Sequence, residues 1–309
     1  MPGEQGSLMV TKIAMASPVR IIATASASTD AVAAAWAAIR AVESSCNRFD
    51  PSSELSLLNA HSREPVAISP LLCDLVGIAL AGYRSTNGRF DPRVLSDLER
   101  MGYDRTFRSV DGLGASMADR PERADWTPEF DSKLSLVTLG GERIDLGGVA
   151  KGAAADRGLA AMAAMGVHGL IDIGGDGAAS GPDEIGAPWS VGVEDPLGGS
   201  EPVAVLTLEA GGYATSSTRL RHWKVGGEQA HHLIDPRTGR PGGAGLRSVT
   251  VLSASGATAE VEAKGAFLSG AQTIAEYAAR RALACLWVDD DGDVGWSEPM
   301  APSLIWMRS

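Results

Sequence analysis

From residue 133 onward the chain is cut into short β-type runs, nearly all stopped by glycine or proline. They are "KLSLVTL" (133–139), "HGLIDIGG" (168–175), "WSVGVED" (189–195), "PVAVLTLEA" (202–210), "GGYATSS" (211–217) and "RSVTVLS" (247–253). Strands this short, closed by turn residues, pair with near neighbours, so the pattern demands antiparallel sheet. "RIDL" (143–146) reads as a further strand, joined to 133–139 by a hairpin at Gly140-Gly141, and "ACLWVDDDGDVGWS" (284–297) as a final hairpin. Helical stretches interrupt the strands. An Ala-rich helix fits 29–46 with Thr29 or Asp30 as its cap. A second fits 69–86, with Pro70 in its first turn and Asn87-Gly88 as its stop. Others fit 149–165 and 257–284. "VRIIATA" (19–25) has strand character. The fold class is therefore α+β: a mixed, largely antiparallel sheet core flanked by helices. Residues 1–14 read as a disordered N-terminal segment, 15–309 as one domain, and 104–132 as a polar loop or insertion within it.

Charge narrows the partners. The net charge of −11 argues against nucleic acid. A phosphate ligand would need positive charge gathered locally against that field. The three cysteines, Cys46, Cys73 and Cys285, lie far apart and read as buried thiols, with neither a disulfide framework nor a zinc site. The first 22 residues lack the basic start and apolar run of a signal peptide, and no run approaches the roughly 18 apolar residues of a membrane span. The sequence reads as cytoplasmic.

Two glycine-rich motifs carry no ligand of the familiar kind. In "GGDGAASG" (174–181) Ser180 takes the place of the third glycine of a dinucleotide fingerprint, and Pro182 blocks the helix that should follow. In "DDDGDVGW" (289–296) the glycine stands fourth, not sixth, so a hairpin turn is a better reading than a calcium loop.

Two other stretches point to chemistry. In "IDLGGVAKGAAADR" (144–157) a strand ends at Asp145, Gly147-Gly148 folds the chain tightly, and Lys151, one of only five lysines, enters the first turn of a helix. Paired glycines, a helix N-terminus and a lysine are the parts of an anion site, though a capped helix with a solvent lysine uses the same residues. "HHLIDPRTGRP" (231–241) runs into a turn set by Asp235, Pro236 and Gly239, which places a histidine at the lip of a rigid turn, where it can act as a general base or be merely structural. In "ATAEVEAKGAFLSG" (257–270) Glu260 and Lys264 share one helix face, either as a surface ion pair or as part of a site.

Together these stretches resemble the ApbE-type FAD:protein FMN transferases. The resemblance also takes in "MASPVRI" (15–21), "NRFDPSSELSLLN" (47–59), "NGRFDPRVL" (87–95) and "YATSS" (213–217), and it runs in chain order from about residue 15 to 272. It implies an ApbE-like, T-fold-related architecture. It also implies a reaction in which FAD is cleaved, FMN passes to a Thr or Ser hydroxyl of an acceptor protein, and AMP leaves. By the same resemblance Met15, Phe49, Arg89, Phe90, Asp91, Asp145, Lys151 and Leu233 contact the flavin nucleotide, His232 is the general base, and Gly148 and Glu260 are magnesium ligands. The departure is at Glu260 and Lys264, where many members place Asp and, four residues later, Thr. Glu can ligate Mg²⁺, but a protonated amine cannot. Two arrangements are compatible with this pair: Mg²⁺ held by Glu260, Gly148 and waters, or the Lys264 ammonium in the metal's place against the diphosphate. FAD hydrolysis to FMN and AMP, and FAD binding without catalysis, are the alternative functions.

Overall fold

The computed structural model describes residues 7–24, 29–105, 115–118, 121 and 123–308. Eight strands form one sheet: Leu8–Ala14, Ser17–Ala23, Gly169–Ile173, Asp176–Ser180, Gly211–Ser217, Leu246–Ser253, Ala284–Asp289 and Val294–Trp296. Their order in the sheet is their order in the chain, and every neighbouring pair is antiparallel. All other described elements are inserted between consecutive strands, except the C-terminal segment after Trp296, which ends in the strand Leu304–Met307. The largest insertion, between Ala23 and Gly169, carries the first five of the seven helices found among the described residues: α1 (Thr29–Cys46), α2 (Glu54–Ala60), α3 (Pro70–Ser85), α4 (Leu95–Arg100) and α5 (Ala150–Ala163). Helices α6 (Gly256–Phe267) and α7 (Ile274–Arg280) follow the sixth strand.

Helices α5 and α6 lie on one face of the sheet, with α1 packed outside α5. Ala31, Val32, Ala35, Ile39 and Val42 form the buried stripe of α1, at the spacing a one-faced helix requires. On the other face a three-stranded sheet of Trp189–Val193, Ala204–Leu208 and Leu304–Met307 packs Trp189, Val191 and Leu208 against Leu170, Ala179 and Tyr213. The central strand Gly169–Ile173 is thus covered on both sides and buried at every position.

The crossing of α5 and α6 fixes the geometry of the site. Gly152 and Gly256 meet backbone to backbone, with no room for a Cβ on Gly152. Each helix then caps the other. Asp156 of α5 accepts hydrogen bonds from the N–H groups of Gly256 and Ala257 at 2.7 and 3.0 Å. Glu260 of α6 accepts from the Gly152 N–H at 2.8 Å, in the first turn of a helix whose own N-cap residue, Val149, supplies no side-chain bond. Both carboxylates also sit at the positive end of a helix dipole.

The fold departs from sequence expectation in four places. Residues 8–14, expected to be disordered, form the edge strand of the main sheet, because Leu8 and Val10 pack on the core and the backbone pairs along 17–23; residues 1–6 lie outside the described set. "RIDL" is not a strand. Ile144 finds its partner in a side chain, donating its N–H to Asn59 Oδ1 at 2.8 Å and accepting from Asn59 Nδ2 at 2.9 Å. The Leu136–Thr138 strand pairs instead with Val66–Ala67 and Glu129–Asp131, so the last residues of the expected 104–132 loop are strand; residues 106–114, 119–120 and 122 lie outside the described set. The 257–284 helix is two helices, broken where Gly270 takes φ +79°. The cysteines are free as expected, but Cys46 is only half-buried.

Gly152→Ala will force the α5 backbone away from α6 and break both caps. A loss of more than about 4 kcal/mol of unfolding free energy is expected, read by chemical denaturation or by failure to accumulate as folded protein.

Candidate active site

A cleft of about 1150 Å³ opens between the large insertion, the main sheet and the segment before residue 234. It is lined by Met15, Phe49, Arg89, Phe90, Asp91, Asp145, Gly148, Lys151, His232, Leu233 and Lys264, so ten residues read from sequence as nucleotide-contacting or basic, and one read as a metal ligand, share one wall system. Glu260 lies behind it, fully buried.

Several of these side chains have their polar atoms already engaged. Asp91 is held by the buried Arg93, whose Nη2 donates to it at 2.8 Å, so its carboxylate braces the wall. Asp145 accepts from the Gly147 N–H and pairs with Arg48 Nε at 2.7 Å. Arg48 in turn lies over the rings of Phe49 and Tyr103, at 4.1 and 4.7 Å, with the two rings tilted 45° to each other, forming a cationic–aromatic cluster at the cleft. Arg89 donates to the Leu268 carbonyl at 3.3 Å and faces the Tyr277 ring. Phe90 and Leu233 are buried apolar wall. Met15 stands at the tip of the first hairpin, where Met15 and Ala16 both take positive φ (53° and 55°) without being glycine, and its N–H is tied to Glu43 at 2.6 Å. Such a conformation is costly for side-chain-bearing residues, and strain of this kind collects at functional sites.

At the inner end lies a charge chain. Lys151 is ion-paired to Asp176, with its nitrogen 3.8 Å from Glu260 Oε1; Lys264 Nζ lies 3.6 Å from the same oxygen. Burial pulls Lys151 down to about 8, opposed by Glu260 and helped by the Arg221 and Lys264 charges. Burial lowers Lys264 in the same direction.

His232 is set to accept a proton. Its Nδ1 lies 3.4 Å from the Arg221 carbonyl, which can only accept, so Nδ1 carries the hydrogen and Nε2 keeps its lone pair. Burial first, then the charges of Arg221, His231 and Lys264, hold its pKa well below the usual histidine value. Its neighbour His231 points away from the cleft and accepts the Leu233 N–H through Nδ1 at 3.3 Å; burial takes it down to about 4.

Magnesium does not fit these residues. The ion takes about six oxygens at roughly 2.0–2.1 Å. The candidate donors are the Gly148 carbonyl and Glu260 Oε1, and Oε1 is indeed buried without a hydrogen bond. Yet two ammonium groups stand 3.6 and 3.8 Å from that oxygen, so a divalent ion on it meets repulsion that offsets most of the attraction of the single carboxylate. The Lys264 stem also lies over Gly148, its Cε 3.2 Å from where a Cβ on that glycine would stand. Among the described residues no group of three or more His, Cys, Asp or Glu side chains is placed to hold a metal.

Sequence reading missed Arg48, Tyr103, Asp176 and Arg221, which line or back the cleft. Arg48 adjoins Phe49 in "NRFDP" and Asp176 lies inside "GGDGAASG", so both had a local signal; Arg221 had none.

A sheet of consecutive antiparallel strands thus carries an inserted cleft in which His232 stands with Lys151 and Lys264. The chain belongs to the ApbE family, whose model it matches over residues 12–287. An FAD:protein FMN transferase of Rhodobacter capsulatus is 29% identical over 273 residues, 86% of this chain and 51% of that protein, so the chain spans about half the length of this relative. An FAD:protein FMN transferase of Salmonella typhimurium is 30% identical over 257 residues, 79% of this chain and 72% of that protein. The crystal structure of the ApbE protein of Thermotoga maritima superposes with a TM-score of 0.86 at 26% identity, covering 98% of this chain and 100% of that one. Among the described residues no helix is long and apolar enough to cross a membrane.

Because the folded state resists protonating His231 and His232 while the unfolded chain takes up those protons near pH 6.5, unfolding free energy will fall as pH drops from about 6.5 towards 4. His231→Gln should flatten that slope in denaturation curves taken across the interval.

Proposed function

We propose that the cleft binds FAD and transfers its FMN half to a Thr or Ser hydroxyl of an acceptor protein. The observation that carries this reading is His232, held with Nε2 unprotonated at the inner end of a cleft that also contains Lys151, Lys264 and the Arg48–Phe49–Tyr103 cluster. The cleft, at about 1150 Å³, exceeds the roughly 300–1,000 Å³ usual for small-ligand pockets, which suits a ligand as large as a dinucleotide. The Rhodobacter capsulatus and Salmonella typhimurium relatives are FAD:protein FMN transferases, which supports this reading.

The acceptor hydroxyl oxygen attacks the phosphorus on the flavin side of the diphosphate. Its proton goes to His232 Nε2, a phosphoester bond forms, and the bond to the bridging oxygen breaks, its electron pair leaving on the AMP phosphate. Little covalent chemistry falls to the protein, which aligns the hydroxyl and neutralises charge. A histidine held below its ordinary pKa is a weak base in the empty cleft; the anionic diphosphate nearby reverses part of that shift when FAD binds. The exposed Phe49 ring, with Arg48 beside it, offers an aromatic surface for the flavin ring, and the strained Met15 turn lines the same cleft. Magnesium, which the resemblance implies, has no step here, since the residues present do not accommodate it.

His232→Ala should slow AMP release from FAD by at least about 100-fold in the presence of an acceptor. Mass spectrometry of a Thr- or Ser-bearing acceptor protein after co-expression should show one added FMN. Release of free FMN in step with AMP, with no mass gain on the acceptor, would identify water as the acceptor and the protein as a hydrolase. FAD bound but never cleaved would identify a non-catalytic binder.

A further inference from the structure

The cleft solves a charge problem set by the chain's −11 balance, and it does so by unequal pairing. Each carboxylate on its wall has an arginine of its own: Glu43 has Arg40, Asp91 has Arg93, Asp145 has Arg48, Asp172 has Arg20 and Glu194 has Arg219. Lys151 has Asp176. What remains on the wall is Arg89, Arg221 and Lys264, and among the described residues their only ion-pair partner is Glu260, 3.6 Å from Lys264. Three cations against one carboxylate leave the wall net positive, as an anionic diphosphate requires; with Arg89 set aside, Arg221 and Lys264 against Glu260 still leave one positive charge.

Position separates the three. Arg89 is already engaged by the Leu268 carbonyl and the Tyr277 ring. Arg221 and Lys264 flank His232. The Arg221 backbone carbonyl orients the His232 ring, and its guanidinium faces the same cleft, near enough that its charge acts on His232, Lys151 and Lys264 alike. Lys264 lies over Gly148, in the space between that backbone and Glu260.

We infer that Arg221 and Lys264 together hold the diphosphate, and that this protein binds and cleaves FAD without a divalent cation. The inference rests on the FAD reading above. Glu260 then has a different task from ligating metal: one oxygen caps α5, and the other holds the Lys264 ammonium in register. A guanidinium and an ammonium also need no dehydration of a tightly hydrated ion before the substrate can be seated.

The test is calorimetric titration of the full chain with FAD and with riboflavin, which has no phosphate, in EDTA and in Mg²⁺, alongside AMP release. The wild type should bind FAD and release AMP equally in both buffers. Arg221→Gln and Lys264→Gln should each weaken FAD about 10-fold or more and leave riboflavin unchanged. Glu260→Gln, which keeps an acceptor for the Gly152 N–H, should bind FAD at least as tightly as wild type in EDTA. Loss of FAD binding or of AMP release in EDTA, restored by Mg²⁺, overturns the inference and leaves the FAD reading standing. Equal weakening of FAD and riboflavin in the two Gln variants overturns the charge assignment, because it marks a packing role. Weakening by Glu260→Gln only when Mg²⁺ is present would show a metal ligand and overturn it as well. Wild type that binds FAD in neither buffer overturns the FAD reading and the inference together.

Discussion

The contact of α5 with α6 is the constraint from which the site follows. Two glycines let the backbones touch, and once they touch, a carboxylate from each helix falls on the exposed N–H groups of the other. The N-terminal turn of a helix has donors that must be satisfied, and here each helix takes a carboxylate from the other, while Ser255 caps the Thr258 N–H of α6 from its own N-cap position. That arrangement sends Lys151 and Lys264, one from each helix, into the same corner of the cleft with Glu260 between them. A buried acid with two lysines would be a poor stabilising device by itself, since desolvation consumes most of the Coulomb gain. Its second carboxylate oxygen and its place on a helix dipole offset that cost.

The same corner explains how an acidic protein can hold an acidic ligand. Net charge acts at long range and is screened over about 8–10 Å in physiological salt. Inside the cleft the pairing pattern matters more than the total. Carboxylates there are matched one to one by arginines, so the few cations left over set the local field.

The helical and sheet content is largely legible from sequence, because it depends on neighbours. The 29–46 helix ends where it was expected to, and the helix behind Ser69-Pro70 starts at Pro70 because Ser69 caps Leu72. The 284–297 hairpin and the antiparallel class follow from turn residues at short spacing. Misreadings occur where a distant partner decides. "RIDL" has the apolar alternation of a strand, but Asn59, 85 residues away, takes both hydrogen bonds of Ile144. Residues 8–14 look unremarkable until the 17–23 strand supplies a partner.

By itself the sequence determined the menu of elements, the turn after His232, and the scarcity of lysine that makes Lys151 and Lys264 stand out. It did so because helix periods, caps and turn φ values are properties of a few adjacent residues. Only the tertiary structure decided what each charged group does. Asp91 braces Arg93, Arg221 stands beside His232, and Glu260 caps a helix 108 residues away. Those assignments depend on which groups packing brings within 3 to 4 Å, and no local pattern encodes that distance.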